Sequence, residues 1–427
     1  MILNDIAEVL YAPQKVFKRI IENPKYLGAL IILLLFMGLQ IGYSYSQFSR
    51  TYTENTSPVA GNFQNYINAT ATSSTNVSLW RAGPGTTFSN NYVDFYNYSI
   101  YVPAIGANYS LFGNSSLEIN ATNTNKISAA LSNAFNVNCS VGGFENLSMT
   151  LKMVEPQVAP QSVALTLYSI NDSSYYSYDL TSALSNSTAI GLWNNLTIPV
   201  GPTAQGWTSA GTPDWANVTS LKLDFTYPSN SSISILIGAL FFHGQYELST
   251  QAFGNNLALS FIETYSLQFL FTWFLLTGII YVFFKAFKAN ITWKPLFVAL
   301  AFALFVMVIR SLVTLLASFA LPTVYYPFDV SLGVTSNPLG AIYVPAQSAA
   351  TFTAQSQAIL NNIVGMTATF NVIVELMFVV SYVWLGALCT IIVGELKPEF
   401  SMTKRIVISA VSIAATLLLL LLLVGIV

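Results

Sequence analysis

The stretch LGALIILLLFMGLQIGYSY, residues 27–45, contains no charged side chain. Its length is that of a helix crossing the hydrocarbon core of a bilayer, about 20 residues. Four further windows share this character, at about 258–284, 295–320, 363–394 and 406–427. Between the first and second windows the chain changes abruptly, and residues 46–256 are rich in Asn, Ser, Thr and Tyr. The pattern predicts an α-helical membrane bundle of five spans plus an all-β sandwich, inserted as an ectodomain between the first and second spans. It divides the chain into a cytoplasmic amphipathic segment (1–26), the first span (27–45), an extracellular β-sandwich domain (46–256) and a four-span domain (257–427).

Composition supports a lipid environment. Charged residues make up 8% of the 427 and hydrophobic residues 53%, where a soluble domain carries about 25% charged. A net charge of −2 argues against a nucleic-acid partner, and the linear sequence shows no Lys/Arg cluster to offer a phosphate-binding face. Cys139 and Cys389 lie in regions of opposite character, so no disulfide framework is expected. His243 is the only histidine, which leaves no His-based metal site, and no cofactor is expected.

Cytoplasmic loops retain positive charge. Lys15, Lys18, Arg19 and Lys25 precede the first span; Lys285, Lys288 and Lys294 lie between the second and third; Lys397, Lys404 and Arg405 lie between the fourth and fifth. The 321–362 loop has neither Lys nor Arg. The expected setting is therefore a plasma membrane, with the N-terminus cytoplasmic and the large domain and C-terminus extracellular.

The outer segment is dense in Asn-x-Ser/Thr triplets, beginning at Asn55, Asn68, Asn76, Asn97, Asn108, Asn114, Asn120, Asn138, Asn146, Asn171, Asn186, Asn195, Asn217 and Asn230. Elsewhere one occurs, at Asn290, in a loop that the charges place inside. That restriction points to N-linked glycans on several of the outer ones. SVALTLYSI (162–170), NLTIPV (195–200), VTSLKLDFTY (218–227) and SISILIGALFF (232–242) carry the period-2 or β-branched patterns of strands. Trp193, Trp207, Trp215, Tyr175, Tyr176 and Tyr178 are either stacking faces for a surface carbohydrate or filling for the sandwich core. The basic residues of the domain are Arg50, Arg81, Lys126, Lys152 and Lys222. YSLFGNSSLEI (109–119), WNNLTIPV (193–200), DWANVTSLKLDF (214–225) and SISILIGALFF together resemble the jelly-roll, galactose-binding-like modules of carbohydrate-binding proteins.

Ahead of the first span, Ile6, Val9, Leu10, Val16, Phe17, Ile20 and Ile21 recur at helical spacing, opposite Asp5, Glu8, Lys15, Lys18, Arg19 and Glu22. This is an amphipathic helix suited to the inner membrane surface, with Pro13 breaking it or opening a second piece. VLYAPQKVFKRIIENPKYLGALIILLL (9–35) resembles the opening of prokaryotic, archaeal-type members of the Yip (Ypt/Rab-interacting) family of five-span membrane proteins. Leu10, Tyr11 and Pro13 stand where that family has its motif. FFKAFKANITWKPLFVALAFALF (283–305) and ELMFVVSYVWLGALCTIIVGELKPEFSMTKRIVISAVSIAATLLLL (375–420) extend the resemblance. It implies a membrane-organising role, with the outer domain as a large insertion contacting envelope proteins or surface carbohydrate.

Arg310 in the third window and Glu375 in the fourth are costly in lipid. At 1.5 Å per residue they lie about 22 Å from the inner end and about 18 Å from the outer end of their spans. They are expected to form a buried ion pair fixing helix register, or to serve the passage of an ion or polar solute. No nucleophile–base pair, phosphate loop or metal-ligand spacing is legible, so a non-enzymatic protein is expected.

Overall fold

The computed structural model describes residues 2–58, 79–96, 99–102, 107–110, 113, 115–169, 171–185, 189–252, 256–328 and 354–424. It contains two compact units. One comprises Met1–Thr51, Leu248–Val324 and Asn361–Val427; the other comprises Tyr52–Glu247 with Tyr325–Leu360.

The first unit is helical. Five of its helices are long and apolar enough to cross a membrane: Tyr26–Phe48, Phe261–Ala286, Trp293–Ser318, Asn361–Leu396 and Met402–Leu422. The third is the central one, with 72% of its apolar window buried against 28–39% for the others. Its small and branched residues Val298, Ala299, Ala301 and Ala303 are fully enclosed. The first helix packs on it closely at Gly28, where any Cβ would lie 2.1 Å from the Phe302 ring. Outward-facing Leu30, Leu34, Phe274, Val372, Val379 and Leu422 are exposed on the other helices, as a lipid-facing surface requires. The N-terminal segment forms two helices, Ile2–Glu8 and Pro13–Glu22, with Pro13 in the first turn of the second, where its missing N–H costs nothing. Ile6, Val9, Val16, Phe17 and Ile20 are buried, and Arg19 joins the pieces by pairing with Asp5 at 2.8 Å and with Glu8. Leu10 and Pro13 are half-buried, and Tyr11 is exposed.

The second unit is antiparallel β. Its strands are β1 (Thr51–Ser57), β2 (Trp80–Ala82), β3 (Thr86–Asn91), β4 (Ser99–Val102), β5 (Ala107–Ser110) and β6 (Ser116–Leu131). They continue as β7 (Asn146–Glu155), β8 (Ser162–Ser169), β9 (Asn171–Asp179), β10 (Trp193–Pro199), β11 (Trp207–Ala210) and β12 (Val218–Leu248). Two long strands build both layers of the sandwich. The first part of β12 pairs with β8 (Leu223↔Leu165) and with the second part of β6 (Leu223↔Ala129). Its later part pairs with β7 (Leu240↔Met149) and with the beginning of β6 (Ile235↔Ile119). The change of layer falls at register shifts between Thr226 and Ile233, in the Pro-Ser-Asn-Ser-Ser stretch 228–232. Opposite it, Asn123 of β6 takes a φ of 54°. Bulges at sheet corners bend strands in this way.

Two strands expected at 218–227 and 232–242 are therefore one strand of 31 residues. Between the layers lie Leu117, Ile119, Ile127 and Leu131 of β6, Leu147, Met149, Leu151 and Met153 of β7, and Leu221, Leu223, Phe225, Tyr227, Ile235, Leu240 and Phe242 of β12. Cys139 is also buried there, and burial pushes its thiol up to about 12. It is a free, buried thiol.

Candidate functional site

Alternation in a strand sends every second side chain out of the core. On β6, Ile127, Ala129 and Leu131 face inward, so Lys126, Ser128 and Ala130 face outward. On β12, Leu221, Leu223 and Phe225 face inward, which turns Lys222, Asp224 and Thr226 out. The register sets Lys222 opposite Ala130, Asp224 opposite Ser128 and Thr226 opposite Lys126. On the far side of β6, Arg81 of β2 also pairs with Ala130. Small residues thus make a floor and long cations its walls.

The result is an open groove of about 690 Å³ whose lining includes Arg81, Lys126, Lys222, Asp224, Ser128 and Ala130. That volume is in the range of small-molecule and short oligomer sites. One edge is shaped by the turn Gly83-Pro84-Gly85-Thr86. Thr86 N donates to Gly83 O at 3.0 Å, and Gly85 has the positive φ of 72° that a type II turn demands after proline. Gly83 is required for a second reason, since a Cβ there would come 2.9 Å from Ser128 Cβ. Lys222 Nζ pairs with Asp224 at 2.9 Å, while Arg81 and Lys126 are exposed. Three cations against one carboxylate leave the groove net positive, in a domain otherwise poor in basic residues. Such a surface attracts anions, and Arg offers a planar fork to a carboxylate or sulfate.

The outward face of β7 carries Ser148, Thr150 and Lys152, alternating with the core residues Leu147, Met149, Leu151 and Met153. At one end, Asp94 accepts from Lys152 Nζ at 2.6 Å and from Trp193 Nε1 at 3.1 Å. The Trp193 indole is seated on Gly238, where any Cβ would fall 2.8 Å from the ring. At the other end, Ser148 Oγ lies 2.9 Å from His243 Nε2, and His243 Nδ1 lies 2.9 Å from Glu54 Oε1. Glu54 also accepts from the backbone N–H of Gly244 at 2.8 Å and of Phe328 at 2.9 Å. A hydroxyl, an imidazole and a carboxylate thus come together where the linear sequence shows no such grouping. Ser148, His243 and Glu54 come from three distant segments and meet through the β7–β12 register, which a linear reading does not display.

The aromatic candidates divide. Trp215 and Tyr176 are core residues, stacked at 3.8 Å between ring centroids. Tyr178 and Trp207 pack against that core, and Trp207 Nε1 donates to Pro199 O. Tyr175 meets Tyr168 edge to face. Filling the sandwich is what most of these rings do.

Of the acceptor asparagines, Asn138, Asn195, Asn217 and Asn230 are exposed. Asn217 Nδ2 donates to Asp214 at 2.6 Å, and Asn138 Oδ1 accepts from Ser140 of its own triplet. Asn120 and Asn146 are half-buried in strands, as is Asn55, whose amide donates to Glu247 at 2.9 Å. Asn108 and Asn171 fall on β5 and β9. Asn68, Asn76, Asn97, Asn114 and Asn186 lie outside the described residues.

In the helical unit, Arg310 and Glu375 do not meet. Glu375 is exposed on its helix, and among the described residues no carboxylate comes within 4.0 Å of the Arg310 guanidinium. Arg310 instead lies over the Phe378 ring, 4.9 Å from its centroid. Their positions on the two helices permitted a pair; the rotation of the fourth helix, which turns Phe378 and Tyr382 toward Arg310, prevents it.

No protein-family model and no curated protein matches this chain. Among solved structures, the chain is similar to a family 11 carbohydrate-binding module from Clostridium thermocellum in complex with a β-1,3-1,4-mixed-linked tetrasaccharide. The match has 13% identity and a TM-score of 0.23, and covers 38% of this chain and 88% of that one. An exo-β-agarase matches with 9% identity and a TM-score of 0.27, over 42% of this chain and 24% of that one. An arabinose-bound α-L-arabinofuranosidase matches with 12% identity and a TM-score of 0.26, over 42% and 25%. Likenesses of this size carry no argument about ligand or activity.

Proposed function

We propose that this chain is a non-enzymatic membrane protein whose β-sandwich binds an acidic, hydroxyl-rich polymer, an anionic carbohydrate of the cell surface. The observation that carries this reading is the gathering of Arg81, Lys126 and Lys222 around a floor of small residues. Carboxylated or sulfated sugars offer anionic groups to these cations and hydroxyls to Ser128, Thr124 and Asp224. The Yip-like segments supply a five-span framework that holds the jelly-roll-like domain outside the cell and organises the envelope around it. Loop charge supports that orientation, and the exposed Asn195 and Asn230 are the leading glycan carriers.

Binding is measured by biolayer interferometry on the full chain in nanodiscs, with polygalacturonate against a neutral β-glucan. Polygalacturonate is expected to bind and to weaken with salt. Arg81→Gln with Lys222→Gln is expected to weaken it about 10-fold or more, from loss of two charge-assisted contacts. Equal binding of the neutral polymer, or none of either, would sink the proposal.

The Ser148–His243–Glu54 array has the connectivity of a hydrolytic triad. Two features favour a structural role. Ser148 is buried and also approaches Thr197 Oγ1 at 3.3 Å. Its strand is paired on both sides, by β10 (Ser148↔Thr197) and β12 (Ser148↔Phe241), which commits the neighbouring N–H groups that an oxyanion hole needs. A fluorophosphonate probe is accordingly expected to leave Ser148 unlabelled by peptide mass spectrometry. Labelling abolished by His243→Ala would replace this reading with an esterase.

A further inference from the structure

Arg310 lies in the long third apolar helix, eight residues before its end at Ser318, or about 12 Å along the axis. A guanidinium stays charged at any accessible pH, so its cost in lipid must be met by partners. Those present are neutral: the Phe378 face and the hydroxyls of Tyr382 and Tyr43. Cation–π attraction offsets part of that cost and does not supply a counter-charge.

Beside Arg310 is a small cavity of about 40 Å³ lined by Gln40, Gln268, Thr272, Arg310 and Tyr382 together with Phe36, Phe269, Leu304 and Met307. Its polar lining combines the Arg310 guanidinium with two carboxamides and two hydroxyls. Gln40 Nε2 already donates to Ser311 Oγ at 3.0 Å, and Thr272 Oγ1 to the main-chain carbonyl of Gln268 at 2.7 Å. The Gln268 carboxamide has no hydrogen-bond partner among the described residues. Among those residues, no carboxylate faces the cavity. A cation, an unspent amide and a phenol thus converge on a space larger than the 10–15 Å³ or so that one water needs, yet of the size of a single small ion.

We propose that this cavity holds one halide-sized anion, chloride in the first instance, which neutralises Arg310 within the membrane bundle. The site is independent of the carbohydrate reading, since it lies wholly in the helical unit. An anion that binds only the folded state raises its stability in a saturable way. Thermal unfolding of the full chain is measured in nanodiscs of zwitterionic phosphatidylcholine, with chloride or bromide exchanged for gluconate at constant ionic strength. Chloride and bromide are expected to raise Tm to a plateau and gluconate, too large for the cavity, to leave it unchanged. Gln268→Leu keeps the charge and removes one donor, and is expected to raise the half-saturating chloride concentration about 10-fold. Arg310→Met is expected to abolish the halide response; should it fail to fold, Gln268→Leu decides. A wild-type Tm indifferent to halide, equal responses to halide and gluconate, or an unaltered midpoint in Gln268→Leu would each overturn the proposal and leave the cavity to water.

Discussion

Phe242→Ala is expected to destabilise the β-sandwich strongly, to the edge of unfolding, while leaving the helical unit intact. The ring is 1% exposed and meets Phe135 edge to face at 5.2 Å and Phe144 at 6.4 Å. Truncating a buried Phe costs about 3–5 kcal/mol, from lost transfer energy plus the cavity left behind. A domain has only about 5–15 kcal/mol in total. Loss of near-UV dichroism together with rapid proteolysis within residues 79–248, and protection of the helical segments, is the result to look for. A Tm shift equivalent to less than about 1 kcal/mol would mean that the two layers close over the gap.

Gly28→Val is the complementary test, directed at the helical unit. A Cβ at Gly28 would lie 2.1 and 2.6 Å from two atoms of the Phe302 ring, and Phe302 is itself 3% exposed among the fully buried Leu300, Ala301 and Ala303. The ring has little room to retreat, so overpacking of about 1–3 kcal/mol or more is expected. The first helix should separate from the third. Cross-linking between cysteines placed on those two helices should fall, while the near-UV signal of the sandwich is retained. Undiminished cross-linking would show that Phe302 finds another rotamer at little cost.

The helical unit was legible because length and unbroken apolarity are one-dimensional properties. Windows at 27–45 and 295–320 correspond to helices Tyr26–Phe48 and Trp293–Ser318 within a few residues. The β domain was legible as a class and less so in detail. NLSMTLKMVE (146–155) alternates from Asn146 to Met153 and is a central strand, yet its opening reads as an acceptor triplet. β6 hides in the same way, because Asn, Thr and Lys fill its outward positions and its bend.

Neither feature of the sandwich's outer faces was accessible from spacing alone. Arg81, Lys126 and Lys222 are scattered along the chain and become neighbours only through the β2–β6–β12 register. Their outward parity, one residue off the Ile127-Ala129-Leu131 and Leu221-Leu223-Phe225 series, was the available signal. The Arg310–Glu375 pairing failed for a related reason. Depth in a helix follows from counting, but the rotation that aims a side chain depends on the packing of neighbours.

The 31-residue strand β12 has a mechanical consequence. It is laced antiparallel to β8, β6 and β7 in turn, and its last residue, Leu248, leads within a few residues to the second apolar helix, Asn256–Ala286. Tension drawn along the chain at that point pulls the strand lengthwise across its ladders, loading many rungs at once instead of peeling them singly. A strand held by three partners along its length resists such a load better than one joined to a single neighbour.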